Sequence, residues 1–253
     1  MQRNLLRLIL LVILVLSIPG SAVTEMPKVN DILAKIDNML ELNADGTARV
    51  KMTQQRAGEG TKVSEMIYYR RDRDDCFLIV FIAPETEKGN GYLRDGENFW
   101  LYRRNTRTFQ HINRAESIGG TNARAEDFEN KKLREMYKPA LDNNNNEKIS
   151  ETILGNVPVY QIELEATTED VTYPKAIYWV RKDNYLPLKV QSFSGNGTLM
   201  QTAYYLKYAS INDKFLYVKA MFVDEFEKGN KTLIEVSEIS QSGIPDNVFT
   251  KAY

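Results

Sequence analysis

The chain has 253 residues, of which 33 are Lys or Arg and 34 are Asp or Glu, so its formal net charge at pH 7 is -1. Because nucleic-acid-binding domains carry a clear excess of basic residues, this balance argues against nucleic acid as a partner. The single cysteine, Cys76, excludes an intramolecular disulfide, and the single histidine, His111, excludes a metal site built from several imidazoles.

Residues 1–22 have the regions of a secretory signal peptide. Two arginines precede an uninterrupted apolar run over residues 8–18, and small residues follow it up to Ala22. At ~1.5 Å per residue, this run covers only about half of a ~30 Å hydrocarbon core, which disfavours a retained membrane anchor. We therefore predict cleavage after Ala22, which leaves residues 23–253 as a single soluble domain in the periplasm.

The predicted elements begin with an amphipathic helix over residues 30–41, capped by Asn30. Strands are predicted at 49–55, 62–71 and 76–83. A hairpin at Asp95-Gly96 and a further strand come next, followed by a second helix over residues 126–137. The remaining chain is typical of a meander with strands at 148–154, 157–167, 174–182, 186–194, 198–209, 215–226 and 232–239.

These elements indicate a mainly β fold with two or three helices. About twelve strands joined by turns too short for a parallel crossover must pair in antiparallel fashion. We predict one large curved antiparallel sheet whose concave face is covered by the helices. A sheet of this size closes into a barrel, splits into a sandwich, or stays open over a hydrophobic cleft.

Several strands carry apolar residues on both faces, as the run CFLIVFIA at residues 76–83 shows. This pattern is typical of core packing on both sides, and it also fits a ligand cavity under one face. The many tyrosines favour an adaptable pocket with polar edges. The candidate cavity residues are Leu78, Val80, Trp100, Tyr102, Leu188, Val190, Leu206 and Phe222. Ile36 and Met39 are the candidate contacts from the first helix, which would act as a lid.

The sequence contains little that resembles a catalytic or metal site. His111 lies in a polar strand and is interpreted as a surface residue, so a hydrolase that uses it as a base is the least favoured alternative. Asp142, Asn144 and Asn146 match the start of a calcium loop, but glutamate replaces the required glycine. We predict no metal, no cofactor and no enzymatic activity. Five arginines are interpreted as a solvated strand face; they are Arg94, Arg103, Arg104, Arg107 and Arg114.

Three segments resemble the outer-membrane lipoprotein-sorting protein family, the LolA-like periplasmic carriers. The first is GNGYLRDGENFWLY at residues 89–102, the second is PKAIYWVRKDNYLPLKVQSFSGNG at 174–197, and the third is the ending IPDNVFTKAY at 244–253. The chain departs from this family at Arg103, where the relatives carry a proline, and it has no clear match for the arginine that controls lid closure in the best-known carriers.

The resemblance implies an unclosed antiparallel β-barrel with helices as a lid. It further implies a periplasmic carrier that binds the acyl chains of lipoproteins or lipids in a hydrophobic cavity and moves them toward the outer membrane. The partners expected from it are the acyl cargo and an inner-membrane transporter, with transient contact to a membrane complex, and the carrier is expected to be a monomer. The alternative is a periplasmic sensor or regulatory module that binds lipoprotein or lipid to signal the state of the envelope.

Overall fold

A computed structural model describes residues 25–42, 45–113, 115–129, 132–169 and 171–251. The predicted signal peptide and its cleavage site lie outside the described residues, as does Arg114. Within these ranges, no helix combines the length and the apolar character needed to cross a membrane.

The described strands all belong to one sheet. In chain order they are β1 Asp45–Arg56, β2 Gly60–Arg71, β3 Cys76–Ala83, β4 Gly91–Asp95, β5 Asn98–Arg103, β6 Thr108–Ile112, β7 Tyr137–Pro139, β8 Ile149–Leu154, β9 Val157–Ala166, β10 Lys175–Arg181, β11 Pro187–Phe193, β12 Leu199–Ile211, β13 Lys214–Asp224 and β14 Lys231–Ser240. Their order in space is β6-β5-β4-β3-β2-β1-β14-β13-β12-β11-β10-β9-β7, and β8 also pairs with β9.

The sheet is antiparallel and does not close into a barrel. The two halves of the chain meet in its middle, where the long first strand β1 pairs with the last strand β14. The strands β6 and β7 stand at opposite ends of the strand order, so the curved sheet keeps two separate edges. The predicted fold class is confirmed.

Helix α1 spans Val29–Leu40, close to its predicted range. Its buried stripe is Val29, Ile32, Leu33 and Ile36, which packs on Tyr160, Ile162, Leu164 and Val180 of β9 and β10. Burial of each such aliphatic side chain contributes about 1.5–3 kcal/mol. Asn30 is not the N-cap as predicted: the helix begins after Lys28, and the carboxylate of Glu147 accepts the Val29 N–H at 2.7 Å.

The prediction of a second helix over residues 126–137 is wrong. A 3-10 turn occupies Ala125–Phe128, and the only α-helical turn in the described part of this range is α2, Leu133–Met136. The helix ends within one residue of the predicted end, where Tyr137 begins β7 and pairs with Ala166 of β9. It is shorter than predicted because the chain forms the 3-10 turn at the start of the range.

The outer face of β3, β4 and β5 is covered by the chain's own C-terminal segment. Ile244, Val248 and Phe249 pack on Cys76, Leu78 and Leu93 there. Arg71, which is buried, fastens this segment: it donates to the Ile244 carbonyl and pairs with Asp246 at 2.7 Å. Residues on both faces of β3 are therefore buried, which explains why its sequence is apolar throughout.

Candidate functional site

A cavity of about 270 Å³ lies between the concave face of the sheet and the helices that cover it. We call it the central cavity. Its floor is formed by inward-facing residues of the sheet, among them Ala48, Val50, Val190, Ala203, Phe222, Ile234 and Val236. Its cover, called the lid below, consists of α1, α2 and the 3-10 turn Ala125–Phe128.

Asp37 joins the two helices of the lid. Its carboxylate accepts the N–H groups of Leu133 at 2.7 Å and Arg134 at 3.3 Å, which lie at the start of α2. Burial raises the pKa of Asp37, and the two N–H donors oppose that rise. Lys132 and Glu41 add an ion pair at 3.6 Å. These contacts connect α1 to α2, so that the two helices can move as one unit.

Seven tyrosines line the central cavity, and Tyr137 donates a hydrogen bond to the carbonyl of Tyr173 at 3.0 Å. The other five are Tyr68, Tyr178, Tyr205, Tyr208 and Tyr217, and three of these five hold the surrounding backbone. Tyr68 donates a hydrogen bond to the Phe128 carbonyl at 2.9 Å, and Tyr217 donates to the Asp127 carbonyl at 3.3 Å. Both acceptors belong to the 3-10 turn of the lid, so the hydroxyls fasten the lid to the sheet. Tyr208 donates instead to the carbonyl of Pro187, within the sheet, at 2.8 Å.

Burial raises the pKa of all five of these tyrosines, and it raises the pKa of Tyr68 to about 12. In the unfolded chain these tyrosines ionise at about pH 10, so folding favours the neutral phenols. Their contribution to stability is complete below about pH 10 and is lost as the pH rises toward the folded pKa values.

We therefore expect the free energy of unfolding to fall steeply above about pH 10. Urea titrations at a series of alkaline pH values, with tyrosinate absorbance followed in parallel, would measure this. The tyrosinate signal should appear together with unfolding. Ionisation of all tyrosines in a chain that remains folded would contradict the burial of these five side chains.

A buried ionic cluster lies beside the central cavity. The guanidinium of Arg94 forms a bidentate pair with Asp75, donates from Nε to the Gly96 carbonyl at 2.9 Å, and lies 3.8 Å from Glu129, which lines the cavity. Arg94 is 1% exposed. The interpretation of Arg94 as part of a solvated strand face is wrong. Its carboxylate partners are Asp75, in the turn before β3, and Glu129, which follows the 3-10 turn of the lid.

Three of the ten candidate residues lie around the central cavity. Ile36 reaches it from the lid, and Val190 and Phe222 reach it from the floor. Val190 and Phe222 lie on either side of Ala203, because each faces that residue across a strand pair. Whether these side chains bind a ligand stays a prediction.

The other seven candidates lie elsewhere. Leu78, Val80 and Trp100 pack on the outer face under the C-terminal segment, and the ring of Tyr102 packs at a tilt against Phe109 with ring centroids 4.9 Å apart. On β3 and β5 the inward-facing set is the alternate one, represented by Phe77, Ile79, Phe81 and Phe99. The prediction of the inward face was wrong for these two strands, since both faces are apolar and a shift of one residue exchanges them.

The remaining three candidates are separated from the cavity by local geometry. Leu206 is 53% exposed, beside a register shift of β12 after Tyr205. A register shift between β10 and β11 places Pro187 rather than Leu188 against the cavity. Met39 is half-buried on α1, where Ile36 and Leu40, one turn apart, take the cavity side instead.

The residues that sequence reasoning missed are mostly the tyrosines and the lid groups that meet them. Of the tyrosines whose sequence positions favoured a pocket, Tyr205, Tyr208 and Tyr217 line the cavity and Tyr204 does not. The lining tyrosines that were not assigned to it are Tyr68, Tyr137, Tyr173 and Tyr178. The signal present in the sequence is the tyrosine that recurs at inward positions of strands from both halves of the chain. Their convergence depends on the β1–β14 pairing, which no local pattern indicates.

The residues considered for catalysis and metal binding are arranged as surface groups. His111 is exposed on β6, with its ring edge-to-face against Trp100 at 4.9 Å. The carboxylate of Asp142 accepts the N–H groups of Asn144 at 2.8 Å and Asn146 at 2.9 Å, which forms a closed turn. Among the described residues, no group of three or more His, Cys, Asp or Glu side chains is arranged to hold a metal ion.

A second depression, of about 470 Å³, lies at one end of the sheet and is polar. Its walls include Gln54, Arg56, Asn122 and Asp224. These side chains are engaged with the protein itself: Gln54 and Arg56 both donate to the Gly120 carbonyl, and Asn122 donates to Asp224 at 3.1 Å. The apolar central cavity is therefore the better candidate for a ligand site.

Comparison with known proteins agrees with this geometry. A family model described as "Uncharacterized protein" matches residues 73–253, which is more than half of the chain. The chain belongs to this family. No curated protein matches it significantly.

Solved structures show which fold this chain has. A LolA superfamily protein from Nitrosomonas europaea aligns with a TM-score of 0.74 at 18% identity, covering 89% of this chain and 98% of that one. A domain described as an outer membrane lipoprotein-sorting protein domain, from Vibrio parahaemolyticus, aligns with a TM-score of 0.76 at 20% identity, covering 88% and 96%. A DUF1329 family protein from Desulfovibrio piger aligns with a TM-score of 0.75 at 20% identity, covering 87% and 95%.

The chain therefore has the LolA-like fold, as its motifs predicted. At these identities the likeness establishes the fold, and the function has to be argued from the central cavity.

Proposed function

We propose that residues 23–253 form a periplasmic carrier that binds acyl chains of lipoproteins or lipids and moves them toward the outer membrane. The observation that carries this proposal is the central cavity, which has an apolar floor and a lid turn that Tyr68 and Tyr217 hydrogen-bond to the sheet. The LolA-like fold supports it, because the similar Vibrio domain is described as a lipoprotein-sorting protein domain.

The physical task of such a carrier is to keep acyl chains out of water. Each methylene group buried is worth ~0.8 kcal/mol, so a chain exposed during transit costs a large free energy. The apolar residues of the floor provide this burial. No proton transfer or cofactor is needed, so the proposal assigns the chain no enzymatic activity and gives His111 no catalytic role.

The carrier also has to release its cargo. The lid turn is fastened to the sheet by the hydroxyls of Tyr68 and Tyr217, which are neutral hydrogen bonds. Such bonds contribute only about 0.5–1.5 kcal/mol each, so we propose that cargo displaces this turn first. Displacing α1 costs more, because each side chain of its buried stripe adds about 1.5–3 kcal/mol. The proposed donor is an inner-membrane transporter, the proposed acceptor is the outer membrane, and the carrier is proposed to act as a monomer.

The proposal is tested by two substitutions on α1. Ile36 lines the central cavity, whereas Ile32, one turn earlier, is fully buried against β9 and β10 and does not line it. Ile36→Ala is expected to lower the free energy of unfolding by less than about 2 kcal/mol, because the site already borders empty space. Ile32→Ala is expected to cost about 2–5 kcal/mol.

The same two variants are then titrated with a fluorescent acyl probe. We expect saturable binding to the unmodified chain, a severalfold loss for Ile36→Ala, and binding unchanged for Ile32→Ala under conditions where it remains folded. A chain that binds no acyl probe would refute the proposed function. A large loss of stability for Ile36→Ala with unchanged probe binding would show that α1 is structural core and not a lid.

A further inference from the structure

Two of the seven cavity tyrosines have hydroxyl groups that form no hydrogen bond with the described residues. Tyr178 of β10 and Tyr205 of β12 both line the central cavity. Their rings pack against the apolar core, which fixes their positions. In the part of the chain that the structure describes, neither hydroxyl makes a hydrogen bond, in contrast to those of Tyr68, Tyr208 and Tyr217.

The strand register places these two side chains next to Val190 and Ala203 of the floor. Tyr178 faces Val190 across one strand pair, and Val190 faces Ala203 across the next. Tyr205 is the next inward-facing residue after Ala203. Val190 and Ala203 therefore lie between the two rings along the floor.

A phenol in an apolar cavity needs a hydrogen-bond partner. Neither hydroxyl belongs to the enclosed side-chain atoms that lack a partner, so both are open to the cavity that their side chains line. A phenol there that gains a hydrogen bond to a ligand is favoured over one that is left facing apolar groups. The ligand that completes them must therefore present an oxygen or nitrogen acceptor at this place, next to an apolar chain.

The charges around the cavity limit which acceptor fits. Its lining contains four acidic residues, Asp37, Glu41, Asp127 and Glu129, and two basic ones, Arg70 and Lys132. The basic residues are already paired, Arg70 with Asp72 and Lys132 with Glu41. The acidic residues are also paired or hydrogen-bonded, so the net field is weak. A carboxylate would find no cation left to pair with and burying it would be costly, so a neutral carbonyl is favoured over a free carboxylate.

The volume limits what the closed cavity can hold. Pockets that enclose a drug-sized molecule have about 300–1,000 Å³, and the central cavity, at about 270 Å³, falls just below this range. Entry of a long acyl chain therefore requires the lid turn to move.

We propose that the hydroxyls of Tyr178 and Tyr205 form a polar subsite that binds the ester carbonyl of an acyl chain. The inference rests on the proposed function and makes it more specific: the ligand is a neutral acyl ester of glycerol. Such an ester occurs in a free monoacylglycerol and in the diacylglyceryl anchor of a lipoprotein.

The test compares three ligands with the same 16-carbon chain length, each measured by displacement of a fluorescent acyl probe: monopalmitoylglycerol, the ether analogue 1-O-hexadecylglycerol, and palmitate. The ether lacks the carbonyl oxygen, and palmitate carries a charge. We expect the unmodified chain to bind the ester most tightly. Each hydrogen bond should be worth between about twofold and tenfold in affinity.

The variants are Tyr178→Phe, Tyr205→Phe and the double variant, which keep the rings and remove only the hydroxyls. The double variant should bind the ester and the ether equally, and its melting temperature without ligand should be unchanged or raised. The control Tyr208→Phe loses a hydrogen bond within the protein, so it should lower the melting temperature and keep the preference for the ester. The single variants provide the same comparison if the double variant does not fold.

Two results would overturn the subsite. The first is equal binding of ester and ether by the unmodified chain; the second is a fall in melting temperature for the double variant as large as that for Tyr208→Phe, which would show that the protein itself uses these hydroxyls. If the unmodified chain binds no acyl ligand, the proposed function fails as well. Competition by a diacylglyceryl-cysteine peptide that depends on the same two tyrosines would support the subsite and identify the lipoprotein anchor as the source of the ester.

Discussion

Replacement of Arg94 by Met is expected to lower the free energy of unfolding by about 3–5 kcal/mol, the range typical of removing one partner from a buried ion pair. The substitution leaves Glu129, which is 1% exposed, without the guanidinium that lies 3.8 Å from it, and leaves Asp75 without its bidentate partner. It also removes the bond from Arg94 Nε to the Gly96 carbonyl. Urea unfolding followed by circular dichroism would measure the loss.

Two further variants show whether charge or geometry is responsible. Arg94→Lys keeps the positive charge but cannot form the bidentate pair, so an intermediate loss is expected. Arg73→Met is the matched control, because the Arg73 side chain is 64% exposed and its ion pair with Asp74 is screened by water. If Arg94→Met changes the free energy of unfolding by less than about 1 kcal/mol, the cluster is solvated and Arg94 does not anchor Glu129, the residue that follows the 3-10 turn of the lid.

Replacement of Ala203 by Phe is expected to weaken binding of an acyl probe by about tenfold or more, with the chain still folded. Ala203 lies on the floor of the central cavity between Val190 and Phe222, so the new ring occupies the space proposed for the acyl chain. In a filled core the same change would cost about 1–3 kcal/mol through overpacking. Here the empty space accepts the ring, so the free energy of unfolding should change less.

Leu206→Phe is the matched control for this experiment. Leu206 lies on the same strand, 53% exposed and away from the cavity, so a larger side chain there should alter neither binding nor stability. Probe titration and urea unfolding of both variants decide the matter. Unchanged probe binding by Ala203→Phe would place the binding site somewhere other than the central cavity.

The sequence was sufficient for the features that depend on local periodicity. The 3.6-residue spacing of Ile32, Leu33 and Ile36 predicts α1 within one residue of its limits, because a helix buries only one stripe. Short turns between alternating runs predict an antiparallel sheet, since parallel strands need long crossovers. The motifs at residues 89–102, 174–197 and 244–253 predict the LolA-like fold, which the solved structures confirm.

The tertiary structure alone decided which face of each strand is functional. The alternation in β3 is the same whether Leu78 or Ile79 points to the cavity, and the choice is made by the C-terminal segment, which covers the outer face. Arg94 looks like a surface residue because its partners are distant in sequence or belong to another turn. Tyr178 on β10 and Tyr205 on β12 line the same cavity because both strands pair with β11. Local sequence fixes periodicity, and contacts between distant segments determine what each face is buried against.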